Sequence, residues 1–161
     1  MFKNMALVLS LTAGFFFISA GNSFAANSEV GVVTRLQSEA KIIRGNEALP
    51  LQVGSVIQEN DEISSEEMAR IEITFTDGTT LLIGENARIE IDEYVFDPDE
   101  SIGTAIIGAL QGPFRFITGK IGQLKSKKIE VRSSVGTIGV RGTDFWGGPS
   151  QGTYGVFLFE G

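Results

Sequence analysis

Residues 131–145, V-R-S-S-V-G-T-I-G-V-R-G-T-D-F, constrain the fold most. Gly136, Gly139 and Gly142 fall close together here, among the strong strand formers Val135, Ile138, Val140 and Phe145. Glycine weakens a strand and marks a bulge, a bend or a close approach of another backbone. The chain at this point is therefore extended but sharply shaped. One cation, Arg141, sits between Val140 and Gly142. A buried arginine needs a partner, and its planar fork suits a carboxylate or backbone carbonyls. Arg141 is read as a cross-strand clamp, with an anion contact for a ligand as the alternative.

Alternation elsewhere points the same way. Ile71, Ile73 and Phe75 face one side, while Arg70, Glu72, Thr74 and Thr76 face the other. That is the pattern of a half-buried antiparallel strand. Asp77-Gly78 is a two-residue hairpin signal, and residues 79–83 return. Ala87, Ile89 and Ile91 alternate with Arg88, Glu90 and Asp92 after a turn at 84–86. Residues 30–36 and 39–44 read as an opening hairpin, and 114–121 with 128–135 as a later pair. With 20 glycines, 4 prolines and no long amphipathic helical pattern, the chain reads as all-β. The expectation is a single antiparallel domain whose sheet is rolled or solenoid-like, or alternatively a β-sandwich.

Composition narrows the chemistry. No cysteine and no histidine are present. Disulfide stapling is therefore absent, as are the commonest general base and the usual zinc ligands. Residues 27–100 carry 5 Lys/Arg against 17 Asp/Glu, whereas residues 101–161 carry 7 against 3. This split reads either as two halves that attract each other or as two surfaces serving different partners. The net charge of −7 argues against a nucleic-acid partner.

Several segments resemble FecR-type domains. The stretch ending at Phe145 is similar to the closing family pattern T-I-G-V-R-G-T-x-F. Residues 71–84, I-E-I-T-F-T-D-G-T-T-L-L-I-G, resemble the D-G-[ST] core. Residues 87–98 resemble the strand that follows, and 110–121, L-Q-G-P-F-R-F-I-T-G-K-I, resemble the G-x-F-R-F-x-T-G-K segment of a secreted branch. In 59–63, Asn60 stands where the family has glycine, and Asn tolerates the left-handed backbone required. Residues 101–111 fit a helix face, but the resemblance favours a strand, and strand is the reading. The resemblance is strongest over 30–145.

Residues 1–25 read as a signal peptide, with Lys3, an apolar run, and Ser23 and Ala25 at the cleavage site. A β domain over 27–161 follows, exported to the periplasm or beyond and not membrane-spanning once processed. Regulatory FecR proteins place an anti-sigma segment before a membrane span. Only Met1 to Asn4 precede the apolar run here, so the resemblance does not imply that role. Residues 154–160, Y-G-V-F-L-F-E, form an apolar strand candidate, an edge liability unless paired. A shortened chain is the expectation at this end.

No nucleophile–base pair, metal spacing or phosphate loop emerges. Glu90 and Asp92 read as an exposed strand face, and Asp97, Asp99 and Glu100 as an acidic turn. The expectation is a non-enzymatic exported module, without cofactor, metal or catalytic residues, that binds or scaffolds another cell-envelope protein. The alternatives are a periplasmic sensor of a small ligand or polysaccharide, with iron–citrate signalling implied by the resemblance, and a fragment of a larger surface protein. The structural motif residues are Asp77, Gly78, Gly139, Arg141, Gly142 and Thr143. The candidate contact residues are Trp146, read as exposed in a loop, and Lys125, Lys127 and Lys128.

Overall fold

The computed structural model describes residues 28–160. The expected signal peptide lies outside the described residues. In chain order come β1 (Glu29–Gln37), β2 (Ala40–Arg44), β3 (Glu47–Pro50), β4 (Val56–Gln58) and β5 (Asp61–Ser65). Next are β6 (Arg70–Phe75), β7 (Thr80–Ile83), β8 (Arg88–Asp97), β9 (Ile102–Gln111) and β10 (Phe114–Ile117). A 3-10 turn at Lys120–Gln123 precedes β11 (Ser126–Ser133), β12 (Gly136–Gly139), β13 (Asp144–Ser150) and β14 (Thr153–Glu160). The all-β expectation holds, and residues 101–111 supply a strand.

The strands form two sheets of seven, ordered β14-β13-β10-β7-β6-β1-β4 and β12-β11-β9-β8-β5-β2-β3. Apart from β4 and β3, which sit beyond β1 and β2 at one edge, both follow chain order from one end to the other, like a coil flattened into two layers. Neither sheet is closed. The pairing is antiparallel except for β9 with β11, which is parallel. One apolar core serves both layers, with Ile57, Ile73, Leu81 and Phe116 from the first sheet and Ile63, Ile89, Ile107 and Val131 from the second.

Two expected strand pairs do not form. β1 and β2 lie in different sheets, as do β10 and β11. Short connections that look like hairpin turns instead carry the chain from one layer to the other. Every such passage except the one through the 3-10 turn contains a residue with positive φ: Ser38, Gly54, Asn60, Met68, Asn86, Gly112 or Gly142. A left-handed residue breaks the extended path and redirects the strand. Asn60, with φ of 65°, does what glycine would do at that place. Gly112 has no substitute, because a Cβ there would lie 2.5 Å from the Cα of Ala87.

The β6–β7 hairpin is present, but its loop has three residues rather than two. Phe75 N donates to Thr79 O at 2.9 Å, leaving Thr76, Asp77 and Gly78 as the loop. Gly78 is left-handed, as a three-residue hairpin requires. The loop also holds the layers together. The Asp77 carboxylate, 1% exposed, accepts four hydrogen bonds. Its Oδ1 takes Thr79 N at 2.9 Å and the Tyr94 hydroxyl at 2.6 Å. Its Oδ2 takes the Thr79 hydroxyl at 2.7 Å and Ile121 N at 2.9 Å. The Tyr94 ring stacks on Phe75 at 4.3 Å. Burial first, then the charge and hydrogen bond of Asp77, raise the Tyr94 hydroxyl pKa far above its ordinary value. Gly119 passes so close that a Cβ would meet Thr79 N at 2.3 Å, so only glycine fits.

Removing a carboxylate that satisfies several buried donors is costly. Asp77→Ala is expected to destabilise the domain by about 3 kcal/mol or more, and Tyr94→Phe by about 1.5–3 kcal/mol. Urea unfolding of the two variants checks both values. Equal stability of Asp77→Ala and the parent would remove this staple from the account.

Candidate functional site

The closing motif is the corner through which the chain leaves one sheet for the other. Val140 is buried, and its N–H donates to Ile129 O at 2.9 Å. Arg141 points outward and is exposed. Gly142, with φ of +81°, turns the backbone. Thr143 then docks on the end of β10, where its carbonyl accepts from Thr118 N at 3.1 Å and from the Thr118 hydroxyl at 2.9 Å. Phe145 enters the core between Phe114 and Phe116.

The clamp expected of Arg141 is therefore absent. Its guanidinium makes no hydrogen bond or ion pair among the described residues. The flanking glycines serve backbone geometry and an open surface, since a Cβ on Gly139 would meet nothing within 4 Å. Two other arginines make the forks. Arg44 Nε and Nη2 each reach Asp61, whose side chain is fully buried, at 2.8 Å. Arg115 donates to Asp144 at 2.8 and 2.6 Å. No local pattern announces either pair. Arg44 and Asp61 meet because β2 and β5 bring them into register, and Arg115 and Asp144 because β10 and β13 are neighbours.

Lys125, Lys127, Lys128 and Arg141 line one open groove of about 650 Å³, with Gly139, Val140, Ile129 and Glu130. The candidate lysines thus share a surface with the motif cation. Asp77 and Gly78 belong to the interior staple instead. Trp146 is not in a loop. It lies half-buried in β13, opposite Arg115, with its ring 5.6 Å from that of Phe157. The neighbouring strand therefore already occupies one side of the ring.

β14 is the last strand of its sheet, and it is apolar on both faces. Val156 and Leu158 pair with Gly147 and core-facing Phe145, yet remain 44% and 64% exposed. They extend the core face beyond what the other layer covers. Phe157 and Phe159 are 54% and 60% exposed. Phe159 is the extra residue of a bulge, and its ring lies 4.7 Å from the Arg115 guanidinium. Arg115 is thus held by Asp144 and by the β14 aromatic together. Elsewhere, Asp97 spends its carboxylate on its own turn, accepting from Asp99 N at 3.1 Å and Glu100 N at 3.0 Å. No cluster of three or more metal-ligating side chains occurs among the described residues.

The charge split survives in space. Sequential stacking keeps acidic early strands toward one end and basic late segments toward the other. Among the ion pairs of the described residues, only Arg132 with Asp92, at 3.2 Å, joins the two halves.

The FecR protein family model matches residues 61–161, and the chain belongs to that family. A comparison with curated proteins finds no match. A solved cell surface anchoring domain aligns with 39% of this chain and 84% of its own length, at 22% identity and a TM-score of 0.38, too low to establish a common fold. Family membership fits an envelope-associated module. No helix of the described residues is long and apolar enough to cross a membrane.

Two outcomes follow from this geometry. Arg141→Lys is expected to leave the melting temperature unchanged, because no fork is lost. A marked drop in thermal unfolding would restore the clamp. The hydrogen bond from Arg115 holds the Asp144 carboxyl below its ordinary pKa. Its stabilisation is therefore present above the unfolded-state value near pH 4 and is lost as the pH falls through the lower folded value. Trp146, the single tryptophan, sits two residues away and reports the change. Its emission should shift on acidification below about pH 4 in the parent but not in Asp144→Asn.

Proposed function

We propose that this domain is a non-enzymatic, exported binding or scaffolding module that captures another envelope protein by adding a strand at β14. The observation that carries this reading is the apolar edge, with Val156, Phe157, Leu158 and Phe159 all exposed in a strand paired on one side only among the described residues. Such an edge is a template for pairing and is normally blunted by charge, proline or a covering element. Here residues 156–158 carry no charge, proline or bulge. Main-chain pairing would supply affinity, and Val156 and Leu158 would select apolar side chains on the incoming strand. The one bulge of β14, at Phe159, leaves residues 153–158 in regular register with β13, and the Arg115–Asp144 fork ties β10 to β13 beside it.

A photocrosslinking residue placed at position 158 tests the reading in envelope preparations. One discrete adduct with a different protein is expected, and Val156→Lys should reduce it about tenfold, as a buried unpaired charge would. The reading fails if the adduct is a homodimer, if none forms, or if Val156→Lys leaves its yield unchanged.

A further inference from the structure

The closing motif leaves a gap in the edge of the second sheet. β12 pairs with β11 from Glu130 to Ser133, and Val140 adds one further bond to Ile129. Continuing that antiparallel register places Arg141 opposite Lys128. Like charges directly opposite repel. The ladder stops there, and Gly142 takes the chain into the other sheet. Residues 126–128 of β11 consequently have a strand beside them only on the β9 side.

Cations surround this gap. Lys125 and Arg141 make no side-chain hydrogen bond or ion pair among the described residues. Lys127 donates to the Leu124 carbonyl at 3.1 Å. Glu130 is the one carboxylate in the lining, and it is shared between Lys128 at 3.5 Å and Arg132 at 3.6 Å. The groove therefore combines an open strand edge with excess positive charge. A strand edge offers amides and carbonyls at strand spacing, which a polypeptide matches and a sugar chain or lipid headgroup does not. The charge selects the side chains.

We propose that the gap receives an extended acidic peptide segment of a partner protein, which adds as a strand beside residues 126–128 and sets its carboxylates against Lys128 and Arg141. The site lies on the opposite sheet from β14 and is independent of that edge. Its occupant prolongs the ladder that β12 abandons and brings an anion within reach of both cations.

Fluorescence anisotropy with the full chain and a labelled short peptide of alternating Glu and Thr tests this. Saturable binding is expected, weakened about tenfold or more by combined Lys128→Glu and Arg141→Glu. Both side chains are exposed and Lys128 gives up only a surface pair with Glu130, so the variant should still melt close to the parent. N-methylation of alternate peptide residues should weaken binding comparably, because it removes main-chain pairing but keeps every charge. Leu158→Lys should bind the peptide as the parent does. The proposal is overturned if the peptide does not bind, if charge reversal has no effect, or if the N-methylated peptide binds equally well. Equal or tighter binding of polygalacturonate or phosphatidylglycerol vesicles would overturn it as well.

Discussion

A buried carboxylate that makes no ion pair among the described residues holds this structure in place. Asp77 sits in the interior only because four donors meet its two oxygens, and a charge left short of partners there would be strongly unfavourable. Those donors come from its own hairpin, from Tyr94 in the facing sheet, and from the 3-10 turn that leads into β11. One side chain therefore fixes the distance between the layers and the starting point of the last strands. The D-G-T sequence serves all three demands, since Asp accepts, Gly permits the loop, and Thr donates twice to Asp77 while accepting from Gly119 N at 2.9 Å.

The elements were largely legible, but their partners were not. Alternation at 70–76 and 87–92 identifies β6 and β8 because each has one buried and one open face. The three-residue loop at Asp77 is not legible in the sequence, because the same two letters serve both loop lengths. Hairpin and layer change are also indistinguishable locally. Ser38 and Met68 adopt left-handed corners that nothing in their side chains demands. Arg141 illustrates the same limit. Glycines on either side report backbone freedom, not burial, and the forks went to arginines whose carboxylates are distant in sequence. Finding Arg115 with Asp144 requires knowing that β10 and β13 are neighbours.

Both open features belong to late segments of the chain. The core thins there, so Leu158 follows the inner face but finds nothing above it. The ladder also breaks there, between Lys128 and Arg141. At the early end, where β3 and β4 are the edge strands, Arg44 is locked onto buried Asp61 and also reaches the Val56 carbonyl at 3.0 Å. Acidic residues dominate the first half and basic ones the second. The molecule is thus polarised in charge along the direction in which its strands accumulate.

The parallel ladder between β9 and β11 has a kinetic corollary. Its first partners, Ile102 and Ser126, are separated by β10, which belongs to the other layer, and by the 3-10 turn. Closing such a loop costs chain entropy before any ladder bond repays it. Antiparallel hairpins such as β6–β7 and β8–β9 face no such delay. Assembly is therefore expected to begin at local hairpins in both halves, β13–β14 among them, with the β9–β11 ladder following, like the long-range pairing of β1 with β6.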